Sequence, residues 1–371
     1  MRRGWDSVRA QSAAHGVQTV AFLFDGVSEE LRESLANLFH HRGIECLTGD
    51  GWVLILSSLS RVAGLARPGF SPLPAEVAEC IGLCLNSLGE PPALWRTGRG
   101  SVSLDQPRVV GILNVTPDSF SDGGRFLRPD AALAHAAYMV AAGVDIIDVG
   151  AESTRPGAGH ELLPGEEWRR LQPVLEGLVD RFPELEISVD TVKSETARRA
   201  LQVGVSIVND VSGFRLDPEM AGVCAEGGAG VVLMHSRGGV HDMASYQHAE
   251  YTDLLAEVTA ELEEGCQDAK AAGVAGESIV VDPGLGFAKR PDHNYAILRQ
   301  LSVIASLGYP VMVGPSRKRF LRQPPEDGME LADDVTAAAC ALAFTDGAAL
   351  FRVHDVRRTR AALQVAHLVR G

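Results

Sequence analysis

From residue 109 onward the chain repeats one pattern: a short apolar run rich in β-branched residues, a polar loop, and a segment with helical spacing of apolar positions. Short buried strands that alternate with helices are typical of parallel βα units. The apolar runs number eight and cover residues 109–113, 145–149, 187–189, 206–208, 230–234, 279–281, 310–313 and 349–353. Helical patterns lie between them at residues 129–142, 165–181, 194–203, 251–272, 293–307 and 332–346.

Eight βα units within about 260 residues predict an α/β fold in which the strands close into a (β/α)₈ TIM barrel. The alternative is an open, doubly wound sheet. The Gly-rich dinucleotide fingerprint that would support such a sheet is absent after the first strand. The barrel is therefore the favoured architecture, and residues 95–371 are assigned to it.

Residues 1–94 follow a different pattern, which predicts a small α+β domain. The pattern indicates a strand at 17–24, a helix at 29–41, a hairpin formed by 44–47 and 52–56, and a second helix at 75–88. The Gly- and Pro-containing stretch 89–92 marks the end of this domain. No group of chemically active residues stands out here, so the sequence assigns this domain no role.

The 371 residues carry a formal net charge of −14, from 34 basic and 48 acidic residues. This negative charge argues against nucleic-acid or anionic-membrane partners, so an anionic ligand would need a local basic site. The six cysteines form no CxxC pair, which favours a reducing, cytoplasmic location. No apolar stretch is long enough to span a membrane, and the amino terminus lacks an apolar targeting segment.

Polar residues stand where the predicted strands end. In a barrel of this type the carboxyl ends of the strands meet at one rim, where catalytic groups lie. A single such residue has a structural explanation, for example a helix N-cap or an Asx turn. Eight strand ends that all carry polar groups are poorly explained in that way. The groups are Asn114, Glu152 with Thr154 and Arg155, Asp190, Asn209, His235, Asp282, residues 314–318, and Arg352 with His354.

These residues divide into two chemical groups. The first combines acceptors, an amide and a cation, which suits a flat polar heterocycle with donors and acceptors along one edge. Its members are Asp190, Asn209, Asp282 and Lys318. The second suits phosphate oxygens, because arginine can bind them in a bidentate way. Its members are Asn114, Thr154, Arg155, Arg352 and His354.

Two acidic residues, Asp118 and Asp122, follow Asn114 and would repel a phosphate group. A divalent cation that bridges these residues and the phosphates would resolve the conflict. Mg²⁺ is commonly held by few protein ligands together with substrate phosphate. The sequence therefore predicts a Mg²⁺ cofactor.

Eight motifs occur in order along the predicted barrel. They are NVTPDSFSDGG at 114–124, DIIDVGAESTRPG at 145–157, SVDT at 188–191, Asn209-Asp210, Met234-His235, DPGLGF at 282–287, SRK at 316–318 and RVHD at 352–355. This series resembles that of the dihydropteroate synthase family over residues 95–371. The resemblance implies a transferase of folate biosynthesis, which joins 6-hydroxymethyl-7,8-dihydropterin pyrophosphate to p-aminobenzoate and releases pyrophosphate. In that family sulfonamides compete with p-aminobenzoate.

The resemblance also implies roles for single residues. The pterin would be held by Asp190, Asn209, Asp282 and Lys318, with Met234 and Phe287 lining its pocket. The pyrophosphate would be bound by Asn114, Thr154, Arg155, Arg352 and His354, and Mg²⁺ by Asn114 and Asp122. The p-aminobenzoate site would be shaped by Phe120, Thr154, Pro156 and Ser316.

In the family mechanism pyrophosphate leaves first and the aniline nitrogen then attacks the pterin methylene group. The residues expected to act in these steps are Asn114, Asp122 and Lys318. Small molecules are thus the expected partners, and a homodimer is what the family suggests.

Two other functions stay open on the sequence. A non-catalytic pterin-binding paralogue would share the whole fold. A pterin-dependent corrinoid methyltransferase would share the acidic and amide residues of the pterin site. The methyltransferase would not need the loop 114–124, the SRK run, or the anion site of Arg352 and His354.

Overall fold

The computed structural model describes residues 19–25, 27–42, 44–58, 73, 77, 92–115, 129–152, 162–321 and 328–370. The chain divides into two compact units, Met1–Gly89 and Glu90–Gly371. Each unit has a buried apolar cluster of its own, as is usual for separate domains.

The first unit contains a three-stranded antiparallel sheet and a helix. Strand β3 (Trp52–Ser58) lies between β1 (Thr19–Asp25) and β2 (Glu45–Gly49). Helix α1 (Glu29–His41) begins after Ser28, whose side chain accepts a hydrogen bond from the backbone N–H of Leu31. These elements match the predicted strand, helix and hairpin. The predicted helix at 75–88 lies outside the described residues except for Val77.

Eight parallel strands of the second unit close into a barrel. Neighbouring strands pair in chain order, and the last strand pairs with the first to complete the ring. The predicted (β/α)₈ TIM barrel is confirmed. Two short strands, β4 (Leu94–Thr97) and β5 (Gly100–Ser103), precede it. The barrel strands are β6 (Arg108–Asn114), β7 (Ile146–Gly150), β8 (Glu186–Asp190), β9 (Ile207–Asp210), β10 (Gly230–Met234), β11 (Ile279–Asp282), β12 (Val311–Val313) and β13 (Ala348–Val353).

Helices surround the barrel and share one apolar core with its strands. Across the stretches that the structure describes, no helix is both long and apolar enough to cross a membrane. The helices are α2 (Pro129–Ala141), α3 (Pro164–Arg181), α4 (Ser194–Gln202), α5 (Met220–Gly227), α6 (Leu254–Ala271), α7 (Pro291–Leu298), α8 (Leu301–Ala305), α9 (Gly328–Thr345) and α10 (Val356–Arg370).

Three details of the helices differ from the prediction. The pattern at 293–307 forms two helices, α7 and α8, because the backbone leaves helical geometry at Gln300 (φ −142°). Helix α5 was not predicted, because its eight residues are too few to show a clear period. Helix α10 was not predicted either, although its buried residues Val356, Leu363 and Ala366 have a helical spacing in the sequence.

A hairpin of β4 and β5 lies against the amino-terminal end of the barrel. Trp95 of β4 is 1% exposed, and its indole Nε1 donates a hydrogen bond of 2.8 Å to the carbonyl oxygen of Ser278. Its ring packs with apolar side chains inside the barrel, including Val110, Ile146 and Ile207. The sequence pattern predicted only a domain boundary near this hairpin and not the hairpin itself. The interior of the barrel is thus filled with apolar groups at this end.

Replacing Trp95 by Ala should lower the free energy of unfolding of the barrel by about 3–5 kcal/mol, because a fully buried ring and its hydrogen bond are lost. Denaturant-induced unfolding, followed by circular dichroism, measures this change. Leu94, on the same strand and 57% exposed, provides the control, since Leu94→Ala should change stability by about 0.5 kcal/mol or less. Equal effects of the two substitutions would contradict the proposed packing role.

Candidate active site

The predicted site residues that the structure describes lie where the barrel strands end. Asn114, Asp190, Met234 and Asp282 are the last residues of β6, β8, β10 and β11, and Asn209 stands next to the end of β9. Neighbouring strands align them, since Asp190 pairs with Asn209 and Met234 pairs with Asp282. The barrel therefore brings this part of the predicted set to one rim. Five further predicted residues, Phe120, Asp122, Thr154, Arg155 and Pro156, lie outside the described residues.

A partly buried arginine joins two carboxylates of neighbouring strands. Arg352 Nε donates to Asp148 Oδ2 at 2.6 Å, and a terminal guanidinium nitrogen donates to Asp190 Oδ2 at 2.5 Å. The sequence had placed Arg352 with the phosphate group and Asp190 with the heterocycle group, so the structure joins the two groups directly. Asp148 is an addition to the predicted set. Its signal in the sequence was a charged residue inside an otherwise apolar strand.

Burial changes the proton affinities of the acidic groups at this rim. Loss of solvent raises the pKa of Asp190 to about 7, although the charge of Arg352 opposes the shift. Burial likewise raises the pKa of Asp282, with Lys318 and a 2.7 Å hydrogen bond from the Gly284 N–H acting against it. A cation or an N–H donor would therefore stabilise the ionised form of the carboxyl groups at this rim.

Lys318 provides the nearby cation. Burial lowers the pKa of its ammonium group to about 8, and Asp282 is the main group that opposes this shift. The Nζ atom donates a hydrogen bond to the carbonyl oxygen of Leu285 and lies 4.4 Å from the ring centroid of Phe287. Lys318, Asp282 and Phe287 therefore form one side of the site.

Two glycines of the DPGLGF motif make room for this arrangement. Gly284 has φ +68°, and a Cβ atom there would stand 1.9 Å from the carbonyl oxygen of His235. Gly286 has φ +81°, and its Cβ would stand 2.9 Å from Cδ of Lys318. Both positions thus require glycine for conformation and for space.

The side chains of the SRK run have different positions: Arg317 binds a surrounding helix, whereas Ser316 contacts a predicted site residue. Arg317 (φ +55°) makes a bidentate ion pair with Asp333 of α9 at 2.7 and 2.8 Å. Ser316 accepts a hydrogen bond from the backbone N–H of His354 and lies 2.9 Å from its Nδ1. When the serine hydroxyl donates to Nδ1, the ring proton of His354 lies on Nε2. That tautomer is a hydrogen-bond donor suited to an anion.

The chain is similar to known proteins over most of its barrel. Residues 110–354 match the family described as pterin binding enzyme. The chain belongs to this family. It is 47% identical over 273 residues to the dihydropteroate synthase of Mycobacterium leprae (strain TN), which covers 71% of this chain and 94% of the relative. The resemblance seen in the sequence, to the dihydropteroate synthases among pterin binding enzymes, is confirmed.

Solved dihydropteroate synthase structures have the same barrel. The Xanthomonas albilineans enzyme with 4-aminobenzoic acid aligns with a TM-score of 0.68 and 39% identity, over 75% of this chain and 98% of that chain. The enzyme of the same organism in complex with 7,8-dihydropteroate aligns with a TM-score of 0.66 and 37% identity, over 75% of this chain and 99% of that chain.

Behind the rim of this pterin binding barrel, a buried lysine contacts His235. Lys289 is 1% exposed, and its Nζ donates to His235 Nδ1 at 2.8 Å and to the carbonyl oxygen of Phe287 at 3.1 Å. The other ring nitrogen of His235 lies 3.1 Å from Glu261. Burial is the largest cause and the charge of Lys289 the second largest that lower the pKa of His235 to about 4, so the ring is neutral at pH 7. The sequence named His235 but gave no signal for Lys289.

A second buried lysine lies at the base of the second βα loop. Lys193 Nζ donates to Glu152 at 2.5 Å and lies 3.5 Å from Glu167. The other carboxylate oxygen of Glu152 accepts from the backbone N–H of Leu162 at 3.1 Å. This carboxylate therefore joins Leu162, just before α3, to Lys193, which follows β8.

The predicted metal ligands are oxygen donors, which is the chemistry that Mg²⁺ requires. Of these, Asn114 is described and Asp122 is not. In the described ranges, no cluster of three or more His, Cys, Asp or Glu residues is arranged to hold a metal ion. The amide of Asn114 fits Mg²⁺ only as part of a set that includes groups beyond the described ranges or substrate oxygens.

Lys289 should make the stability of the protein pH-dependent. Burial lowers its pKa from 10.5 to about 7, with opposing contributions from Asp282 and Glu261 and supporting ones from Lys318 and Arg237. Between these two pKa values the unfolded chain binds more protons than the folded one, so the free energy of unfolding should rise with pH. For one group this slope is at most about 1.4 kcal/mol per pH unit.

Denaturant titrations at pH 7, 8 and 9 measure the slope, which should become smaller in Lys289→Met. The matched control is Lys270→Met, since Lys270 is an exposed lysine of α6. A slope that is equally steep in Lys289→Met and in the unaltered protein would contradict the assignment.

Proposed function

We propose that the barrel joins 6-hydroxymethyl-7,8-dihydropterin pyrophosphate to p-aminobenzoate, giving 7,8-dihydropteroate and pyrophosphate in folate synthesis. One observation carries this proposal: a chain 47% identical to a dihydropteroate synthase has Asp190, Asn209 and Asp282 at one rim of its barrel. Function is assigned from these site groups and not from the barrel alone, since that fold supports many chemistries.

The pterin ring fits the donors and acceptors of the rim. Asp190 and Asp282 can accept hydrogen bonds from ring N–H and amino groups, and Lys318 can donate one to the ring carbonyl oxygen. Met234 is 5% exposed and packs in one apolar cluster with Phe287, which suits the flat face of the ring. Buried carboxylates have a large desolvation cost, and a ligand with several N–H donors offsets it.

The pyrophosphate fits the cationic side of the rim. Burial opposes the positive charge of Arg352, but Asp148 and Asp190 raise its pKa above the ordinary arginine value, so it stays charged. His354 supplies an N–H donor, and Asn114 an amide. Thr154 and Arg155 complete the proposed set. Pyrophosphate binding would draw part of the guanidinium away from Asp190, which would free that carboxylate for the pterin.

The reaction breaks the C–O bond between the pterin methylene group and pyrophosphate and forms a C–N bond to the aniline nitrogen, which then loses a proton. Arg352 and His354 would stabilise the negative charge on the leaving group, while Asp190 and Asp282 would stabilise positive charge on the pterin. Mg²⁺, held by Asn114 and Asp122, would neutralise further charge on the pyrophosphate. No protein nucleophile is required.

The second substrate is assigned to the outer part of the site. Phe120, Thr154, Pro156 and Ser316 would surround p-aminobenzoate, and Ser316 is fixed by its hydrogen bonds with His354. A cytoplasmic location and a homodimer are further parts of this proposal, on the basis of cysteine usage and family membership.

The direct test incubates the protein with the pterin pyrophosphate, p-aminobenzoate and Mg²⁺ and measures pyrophosphate release. Release should require both substrates and should stop when a chelator removes the metal. Pterin binding without any release would instead favour the non-catalytic paralogue, and release that is insensitive to the chelator would remove Mg²⁺ from the proposal.

Replacing Asp122 by Ala should lower turnover by about 10- to 100-fold and change the affinity for the pterin pyrophosphate much less. The reason is that a metal ligand at the leaving group acts mainly in the transition state. Steady-state kinetics gives the turnover, and calorimetry gives the affinity. Unchanged turnover at saturating Mg²⁺ would exclude Asp122 from the reaction.

A further inference from the structure

Asp148 lies one layer deeper in the barrel than the predicted site residues. It pairs in register with Ser188, whereas Gly150, two residues later on β7, pairs with Asp190, which in turn pairs with Asn209. Inward-facing side chains alternate along a strand, so Asp148 belongs to the inner layer just below the rim. Its side chain is 1% exposed.

Both hydrogen bonds of the Asp148 side chain end on one of its oxygens. Oδ2 accepts from Arg352 Nε at 2.6 Å and from Asn209 Nδ2 at 3.0 Å. Asn209 therefore turns its NH₂ group toward Asp148. The amide oxygen of Asn209 is thereby directed away from the inner layer.

That amide oxygen has an unusual environment. Asn209 is 2% exposed, and its Oδ1 has no hydrogen-bond partner among the described residues. The cavity beneath it is lined by Asp148, Ser188 and Asn209 and by apolar side chains that include Trp95, and its volume of about 10 Å³ holds at most one water molecule. A ligand can therefore reach this amide only from the rim.

We propose that Asp148 is a positioning residue that fixes the amide of Asn209 with its oxygen toward the pterin, so that this position accepts a hydrogen bond and does not donate one. The inference rests on the proposed function, because the pterin supplies the N–H group that Asn209 Oδ1 accepts. Asp148 itself touches no substrate. It would select ligands that present a donor at this edge over ligands that present an acceptor.

The variant Asp148→Leu tests the orientation. Leucine has a similar shape but no hydrogen-bond acceptor, so the NH₂ group of Asn209 loses the partner that holds it, and the amide can turn its NH₂ group toward the pterin. The dissociation constant for the pterin without its pyrophosphate, measured by calorimetry, should rise about tenfold or more, while KM for p-aminobenzoate should stay nearly constant.

The conservative variant Asp148→Asn distinguishes orientation from simple loss of structure. Because Arg352 Nε and Asn209 Nδ2 share one oxygen of Asp148, a single amide oxygen in its place can still accept from both. Asp148→Asn should therefore bind the pterin more tightly than Asp148→Leu. A folded Asp148→Asn that binds no better than a folded Asp148→Leu would overturn the proposal.

The matched control is Asp145→Leu, the same chemical change at the residue that precedes β7. Asp145 pairs with Arg108 at 3.1 Å and accepts from the backbone N–H of Val109 at 2.7 Å, at the amino-terminal end of the strand. It should leave pterin affinity unchanged. Thermal unfolding verifies folding, and if Asp148→Leu does not fold, Asp148→Ala takes its place in both comparisons. Wild-type affinity in a folded Asp148→Leu would also overturn the proposal. Failure of the unaltered protein to release pyrophosphate would instead count against the proposed function.

Discussion

The site depends on one interaction, the pairing of the partly buried guanidinium of Arg352 with the carboxylates of Asp148 and Asp190. Charged groups within a barrel have a desolvation cost, which their pairing offsets. This pairing also links the strands β7, β8 and β13. It joins Arg352 of the predicted phosphate group to Asp190 of the predicted heterocycle group, so the proposed pterin and pyrophosphate sites share a common residue.

The barrel can hold this charged set because its two ends differ. The amino-terminal end is filled by Trp95 of the hairpin and by apolar residues of the inner layer. That packing supplies hydrophobic stabilisation. The carboxyl end is then the place where polar side chains can meet a ligand, as is general for this fold. Trp95 also lines the small cavity beneath Asp148 and Asn209, so the hairpin supports the site from below.

Two buried lysines fix the scaffold around the site. Lys289 joins His235 to the backbone at Phe287, and Lys193 joins Glu152 to Glu167. Each is held by acceptors from more than one segment of the chain, so each restrains the loops that follow the strands. Such restraint is what a site needs, because loosely held side chains lose much of their effect on a bound substrate.

The sequence by itself determined the eight strands, most of the helices and the residues at the strand ends, because these depend on the local alternation of apolar and polar positions. It also determined the family, through motifs that keep their order. Only the tertiary structure decided that Arg352 binds Asp190, that Asp148 orients Asn209, and that Lys289 lies under His235. Arg352 and Asp148 are 204 residues apart in the chain, and a pattern read along the sequence carries no information about which distant side chains meet when the barrel closes.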